Sequence, residues 1–146
     1  MKKQSLSLFL FLGLMITLGA SKGRAQVVGP IEADIQFPFY AGDTKFPPGT
    51  YIVKPLDDSD LTLMEISTPD GRNRALFQVR DAQANTSPSK TELIFSKYGD
   101  NYFLSKVFDQ GNKRGSALEE SRYQKKLRSG GAAVEDRHVS ARHRTQ

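Results

Sequence analysis

Cysteine is absent from all 146 residues. That absence excludes disulfides, a lipid-modified cysteine anchor, a thiolate nucleophile and metal sites built on sulfur. The fold must therefore rest on a packed core. Histidine is scarce as well, because the chain has only His138 and His143, both near its C-terminus. Residues 26–112 thus lack the usual general base and metal ligand. No Gly-x-Ser-x-Gly elbow is present, so nothing marks an activated serine. Long apolar runs are confined to residues 6–20, and this stretch is shorter than the roughly 20 residues that span a bilayer as a helix.

That short run has a different meaning in context. Lys2 and Lys3 precede it, and Gly23-Arg24-Ala25 offers small residues at the −3 and −1 positions of a cut before Gln26. The pattern predicts a signal peptide over residues 1–25, with export to a periplasmic or extracellular space and no membrane span once it is removed.

Removing residues 1–25 also changes the charge argument. The whole chain carries a formal net charge of +5, but four of its 21 basic residues and none of its 16 acidic ones lie in this segment. Residues 26–112 hold 8 basic and 12 acidic side chains, whereas residues 113–146 hold 9 and 4. An acidic body with a basic tail does not suit a nucleic-acid-binding domain, whose positive charge gathers on one folded face.

The body reads as β-structure. Ile31, Ala33, Ile35, Phe37 and Phe39 alternate with Glu32, Asp34 and Gln36, a period of two that marks a half-buried strand. Gly42-Asp43 and Pro47-Pro48-Gly49 make residues 41–50 a turn-rich connection. Further strands are predicted at residues 50–56, 61–67 and 73–80. In the third strand the change of apolar phase at Leu63-Met64 calls for a bulge. After a polar loop at residues 81–89 comes the clearest hairpin, 91–98 and 101–108, turning at Gly99-Asp100.

Strand signals stop at Gln110-Gly111-Asn112. Ser116 and Glu119 fit a capping box for a short helix over residues 118–128, and residues 129–146 read as a disordered basic tail. The predicted fold is therefore mainly β: a six-stranded antiparallel meander forming a small barrel or sandwich, one short C-terminal helix and a disordered tail. Residues 26–128 make up the domain. Phe37, Phe39, Tyr51, Phe77, Phe95 and Phe103 are the expected inward side chains, enough to fill an interior of this size.

Chemistry-bearing patterns are few. Asp57, Asp58 and Asp60 could offer oxygen to a hard cation, but the glycine and distal glutamate of a calcium loop are missing, and the segment reads as a solvated turn. Asn85-Thr86-Ser87 matches a glycosylation sequon, which matters only in a host with that machinery. Along KYGDNYFLSKVF, residues 97–108, aromatic and basic side chains interleave; Lys97, Tyr98, Tyr102 and Lys106 are the candidate surface or ligand contacts. The same residues also suit a central hairpin. No catalytic, cofactor-binding or metal-binding residue is predicted.

The segments FPPGTYIV (residues 46–53), ELIFSKYGDNYFLSKVF (92–108) and ESRYQKKL (120–127) resemble a group of small exported bacterial proteins of uncharacterised function. The resemblance covers most of the body and implies an envelope or secreted setting; it implies no catalytic residue. The expectation is an exported, non-enzymatic interaction protein whose partner is an envelope component or another protein. The alternative is a carrier holding a small apolar ligand in a barrel pocket.

Overall fold

The computed structural model describes residues 29–145, so the predicted signal peptide lies outside the described residues. Ten strands and one helix follow in chain order: β1 (Ile31–Ile35), β2 (Phe39–Ala41), β3 (Thr44–Phe46), β4 (Gly49–Asp57), β5 (Asp60–Ser67), β6 (Arg74–Gln83), β7 (Glu92–Tyr98), β8 (Asn101–Phe108), β9 (Arg114–Leu118), α1 (Arg122–Ser129) and β10 (Glu135–His143). Eight of the strands close an antiparallel barrel in the order β8-β7-β10-β1-β4-β5-β6-β9, with β9 returning to pair with β8. Closure removes the free edges that an open meander would leave.

All six predicted strands are present. The first divides into β1 and β2 around Gln36-Phe37-Pro38, where proline has no N–H to give a ladder. Between β4 and β5 the register runs from Pro55↔Met64 to Asp57↔Asp60, so β5 covers four residues while β4 covers two. This irregularity accounts for the change of phase at Leu63-Met64.

Four expectations are corrected. First, the turn-rich connection contains β3, which pairs with β2 through Tyr40↔Lys45. The β2–β3 hairpin lies beside β8, with Tyr40 opposite Phe103 in a parallel pair.

Second, strand structure continues past Gln110. Ser116 belongs to β9 rather than to a helix cap, and α1 starts later, capped by the Ser121 hydroxyl oxygen, which accepts from the Gln124 N–H at 3.1 Å. Glycine explains why β9 can sit there. A Cβ on Gly115 would come within 2.3 Å of the Val107 carbonyl oxygen and 2.5 Å of the Phe108 ring, so only a bare backbone fits beneath that ring.

Third, the tail is not disordered. Residues Glu135–His143 form β10, paired with β7 over six residues and with β1 over three. Its sequence conceals it because only Val139 and Ala141 pack against the core. A ladder on both edges replaces the missing apolar face.

Fourth, Phe103 does not point inward. Ile94 pairs with Lys106 and Phe95 with Leu104, leaving Ser105 as an extra residue whose hydroxyl donates to the Ile94 carbonyl at 2.9 Å. The bulge shifts the phase, so Leu104 and Val107 both face the core while Phe103 lies on the outer face of the wall, where it is covered to 1% exposure. The period of two holds only between bulges.

The other predicted inward aromatics all belong to the interior or pack against it. Phe39 meets Phe46, Tyr51 and Phe95 at ring separations of 5.3, 5.1 and 5.4 Å. Tyr51 is 1% exposed, and its hydroxyl donates to the Pro47 carbonyl at 2.7 Å. Burial pushes the pKa of that phenol above its ordinary value.

Candidate functional site

The tip of the β7–β8 hairpin divides the predicted contact residues between two faces. Lys97 and Tyr102 are opposite one another in register and share the face of Phe95 and Leu104. The Lys97 ammonium sits 5.8 Å from the Tyr102 ring centroid and 3.8 Å from a Glu135 carboxylate oxygen. Tyr102 stacks on Phe37 at 4.0 Å, and Phe37 meets Phe95 edge-on at 5.1 Å. These side chains form a partly buried aromatic shelf that continues into the core.

Tyr98 lies on the opposite face. It is 4% exposed and packs edge-on against Phe103 at 5.9 Å, which makes it a structural residue. Lys106 is exposed beyond the Ser105 bulge, opposite Ile94 and Ala117. The structure therefore brings together Lys97 and Tyr102 and separates them from Tyr98 and Lys106.

Sequence reasoning missed the residues that gather around Phe103. Tyr40 stacks on it at 5.0 Å, and Tyr123 of α1 meets Phe103 and Tyr40 edge-on at 5.7 and 5.6 Å. On β3, Lys45 places its ammonium 5.6 Å from the Tyr40 ring centroid. Docking of α1 therefore rests on aromatic contacts and on Gln124, which is 5% exposed. Arg122, Lys125 and Lys126 lie on the side of the helix away from Gln124 and are exposed. The i, i+3 and i, i+4 spacings put these three cations together on one face. The sequence signal available in advance was ESRYQKKL, whose positive charges recur at helical spacing.

Elsewhere, charged side chains act mainly as fasteners. His138 Nδ1 is 3.1 Å from Glu92, and His143 Nε2 is 2.7 Å from Asp109. Arg142 pairs with Glu32 and lies 3.9 Å from Asp34. These contacts tie β10 to its neighbours. The Thr91 hydroxyl donates to the same Asp109 oxygen that faces His143, at 2.6 Å. Because that hydroxyl addresses the carboxylate and not the imidazole, the group does not form an activated nucleophile. Burial raises the Asp109 pKa, but the bonds from Thr91, His143 and the Gln110 N–H outweigh it and hold the carboxyl below its ordinary value.

Asp57 and Asp60 are likewise engaged locally. Asp57 accepts from the backbone N–H and hydroxyl of Ser59 at 2.8 and 2.7 Å, and Asp60 accepts from the hydroxyl and N–H of Thr62 at 2.5 and 2.9 Å. These bonds keep both carboxyls below the usual range. Beside this turn an open groove of about 750 Å³ runs along the outside of the wall, lined by Ile52, Lys54, Leu56, Asp57, Asp58 and Arg144 among others. Comparison with protein-family models, curated proteins and solved structures finds no match to this chain.

Proposed function

We propose that this chain is an exported, non-enzymatic β-barrel domain that works through its outer surface, as an envelope-associated or secreted interaction protein. The observation that carries this reading is the interior. Tyr51, Phe39, Phe46, Phe95, Ile31, Ile35, Met64, Ile66, Leu93 and Val53 are all below 2% or at 2% exposure and interlock there. An eight-stranded barrel has room for its side chains or one small ligand, and here side chains take the space. The carrier alternative needs an apolar pocket in that interior, so the packing weighs against it.

Two measurements test the reading. Crosslinking the mature chain in its native envelope or culture medium is expected to give a defined adduct with a macromolecule. Denaturing the purified protein and extracting it with organic solvent is expected to release no stoichiometric apolar compound. Release of one such compound per chain would overturn the reading in favour of the carrier.

A further inference from the structure

Resting on the interaction reading above, we infer that the exposed face of α1 together with Lys45 is a docking surface for an anionic phospholipid bilayer. The charge pattern is the first observation. Eight residues of α1 contain Arg122, Lys125, Lys126 and Arg128 and no carboxylate. Arg128 is held by Glu120 at 3.0 Å, but Arg122, Lys125 and Lys126 have no carboxylate partner among the described residues. They stand on a domain that is otherwise close to neutral, residues 26–146 holding 17 basic and 16 acidic side chains. Cations clustered on one exposed helix face of such a domain complement an anionic surface.

The aromatic geometry selects the class of surface. Stacking on a sugar or a base needs an open ring face. Tyr40 has none to give, since Phe103 is stacked 5.0 Å away and the Lys45 ammonium also lies over the ring. Tyr123 is 40% exposed and leans edge-on against both neighbours. Its exposed ring and hydroxyl are amphipathic, the character tyrosine brings to a membrane–water interface. Tyr123 lies three residues before Lys126, so the ring and that ammonium are neighbours along the edge of the basic face.

The docking mode is peripheral. None of the described helices is long and apolar enough to cross a membrane, and α1 is eight residues long. Attraction by charge, with one interfacial tyrosine, gives reversible binding that weakens as salt screens it.

The test uses the mature chain, residues 26–146, co-sedimented with vesicles of neutral phospholipid alone or with about one third anionic phospholipid. Binding is expected only to the anionic vesicles and is expected to fall with added salt. Each cation near such a surface contributes about fivefold to the binding constant, so R122Q/K125Q/K126Q should weaken binding roughly 100-fold. R122K/K125R/K126R keeps the charge and should bind as the unaltered chain does. Because all six substitutions lie on exposed positions, circular dichroism should be unchanged in both variants. Equal binding by the glutamine variant, or no binding of the unaltered chain to anionic vesicles at low salt, would overturn the inference. A parallel assay with the native envelope fraction separates the two readings: sedimentation there without vesicle binding removes the lipid inference alone, and persistence after detergent extraction assigns the surface to an anionic polymer. Sedimentation with neither, together with no crosslinked adduct, removes both.

Discussion

β7 and β10 are neighbours over six residue pairs, but different forces hold them. β7 carries Leu93 and Phe95 into the core and Ile94 onto the other face, all 7% exposed or less. β10 has no fully buried side chain; Val139 and Ala141 are half-buried and the rest are exposed. β7 is held by apolar burial and β10 by its backbone ladders and by charged pairs with Glu92, Asp109 and Glu32. A strand can therefore complete a barrel without supplying much of its core. The same contrast changes the use of truncation as a tool: removing residues 129–146 deletes a wall strand, so it would open the barrel and could not isolate a role for a basic tail.

The largest effect is expected from Phe95→Ala, which empties the meeting point of Phe37 and Phe39 and should cost about 4 kcal/mol in chemical denaturation. A loss under about 1 kcal/mol would mean that the interior does not depend on β7 as described. Next is Gly115→Ala. Its Cβ would collide with a backbone oxygen of β8 as well as the Phe108 ring, and the expected loss is about 2 to 3 kcal/mol by the same assay.

Asp109→Asn moves the comparison to the fasteners and should cost about 2 kcal/mol at neutral pH. The sign of its pH dependence follows from the lowered carboxyl pKa. The stabilisation is fully present above the ordinary carboxylate pKa and is lost as pH falls through the lower folded value. Thermal melts of the two proteins should therefore differ at pH 7 and converge in strong acid; a constant gap would refute the ionic contribution. Smallest of all, Val139→Ala should cost about 1 kcal/mol, because the side chain is only half-buried, whereas Val139→Pro should cost clearly more by removing a ladder donor from a central strand. Equal effects of the two substitutions would show that β10 depends on its side chains after all.

What was legible in the sequence follows the same division. β1 and β6 repeat apolar residues at a period of two, and β4, β5, β7 and β8 are apolar, β-branched or aromatic runs between turn signals, so burial announces all six. β9 and β10 lack that repeat. Arg114–Leu118 includes a glycine made useful only by a ring on another strand, and Glu135–His143 looks solvated until the carboxylates of Glu32, Glu92 and Asp109 that pair with its arginine and imidazoles are known. Of the candidate contacts, Lys97 and Tyr102 could be paired from the hairpin turn alone. The grouping of Tyr40, Lys45, Phe103 and Tyr123 could not, because it joins β2, β3, β8 and α1 across long stretches of chain.

By itself, the chain determined a cysteine-free, mainly β domain with an aromatic core and an uneven distribution of charge, since each of these follows from composition and from a local two-residue period. Tertiary structure alone decided that the sheet closes, that the last strand fits between β1 and β7, and that Phe103 turns outward beneath a basic helix. The physical reason is that ladder pairing, a one-residue bulge and ion pairing between distant residues depend on partners rather than on local sequence.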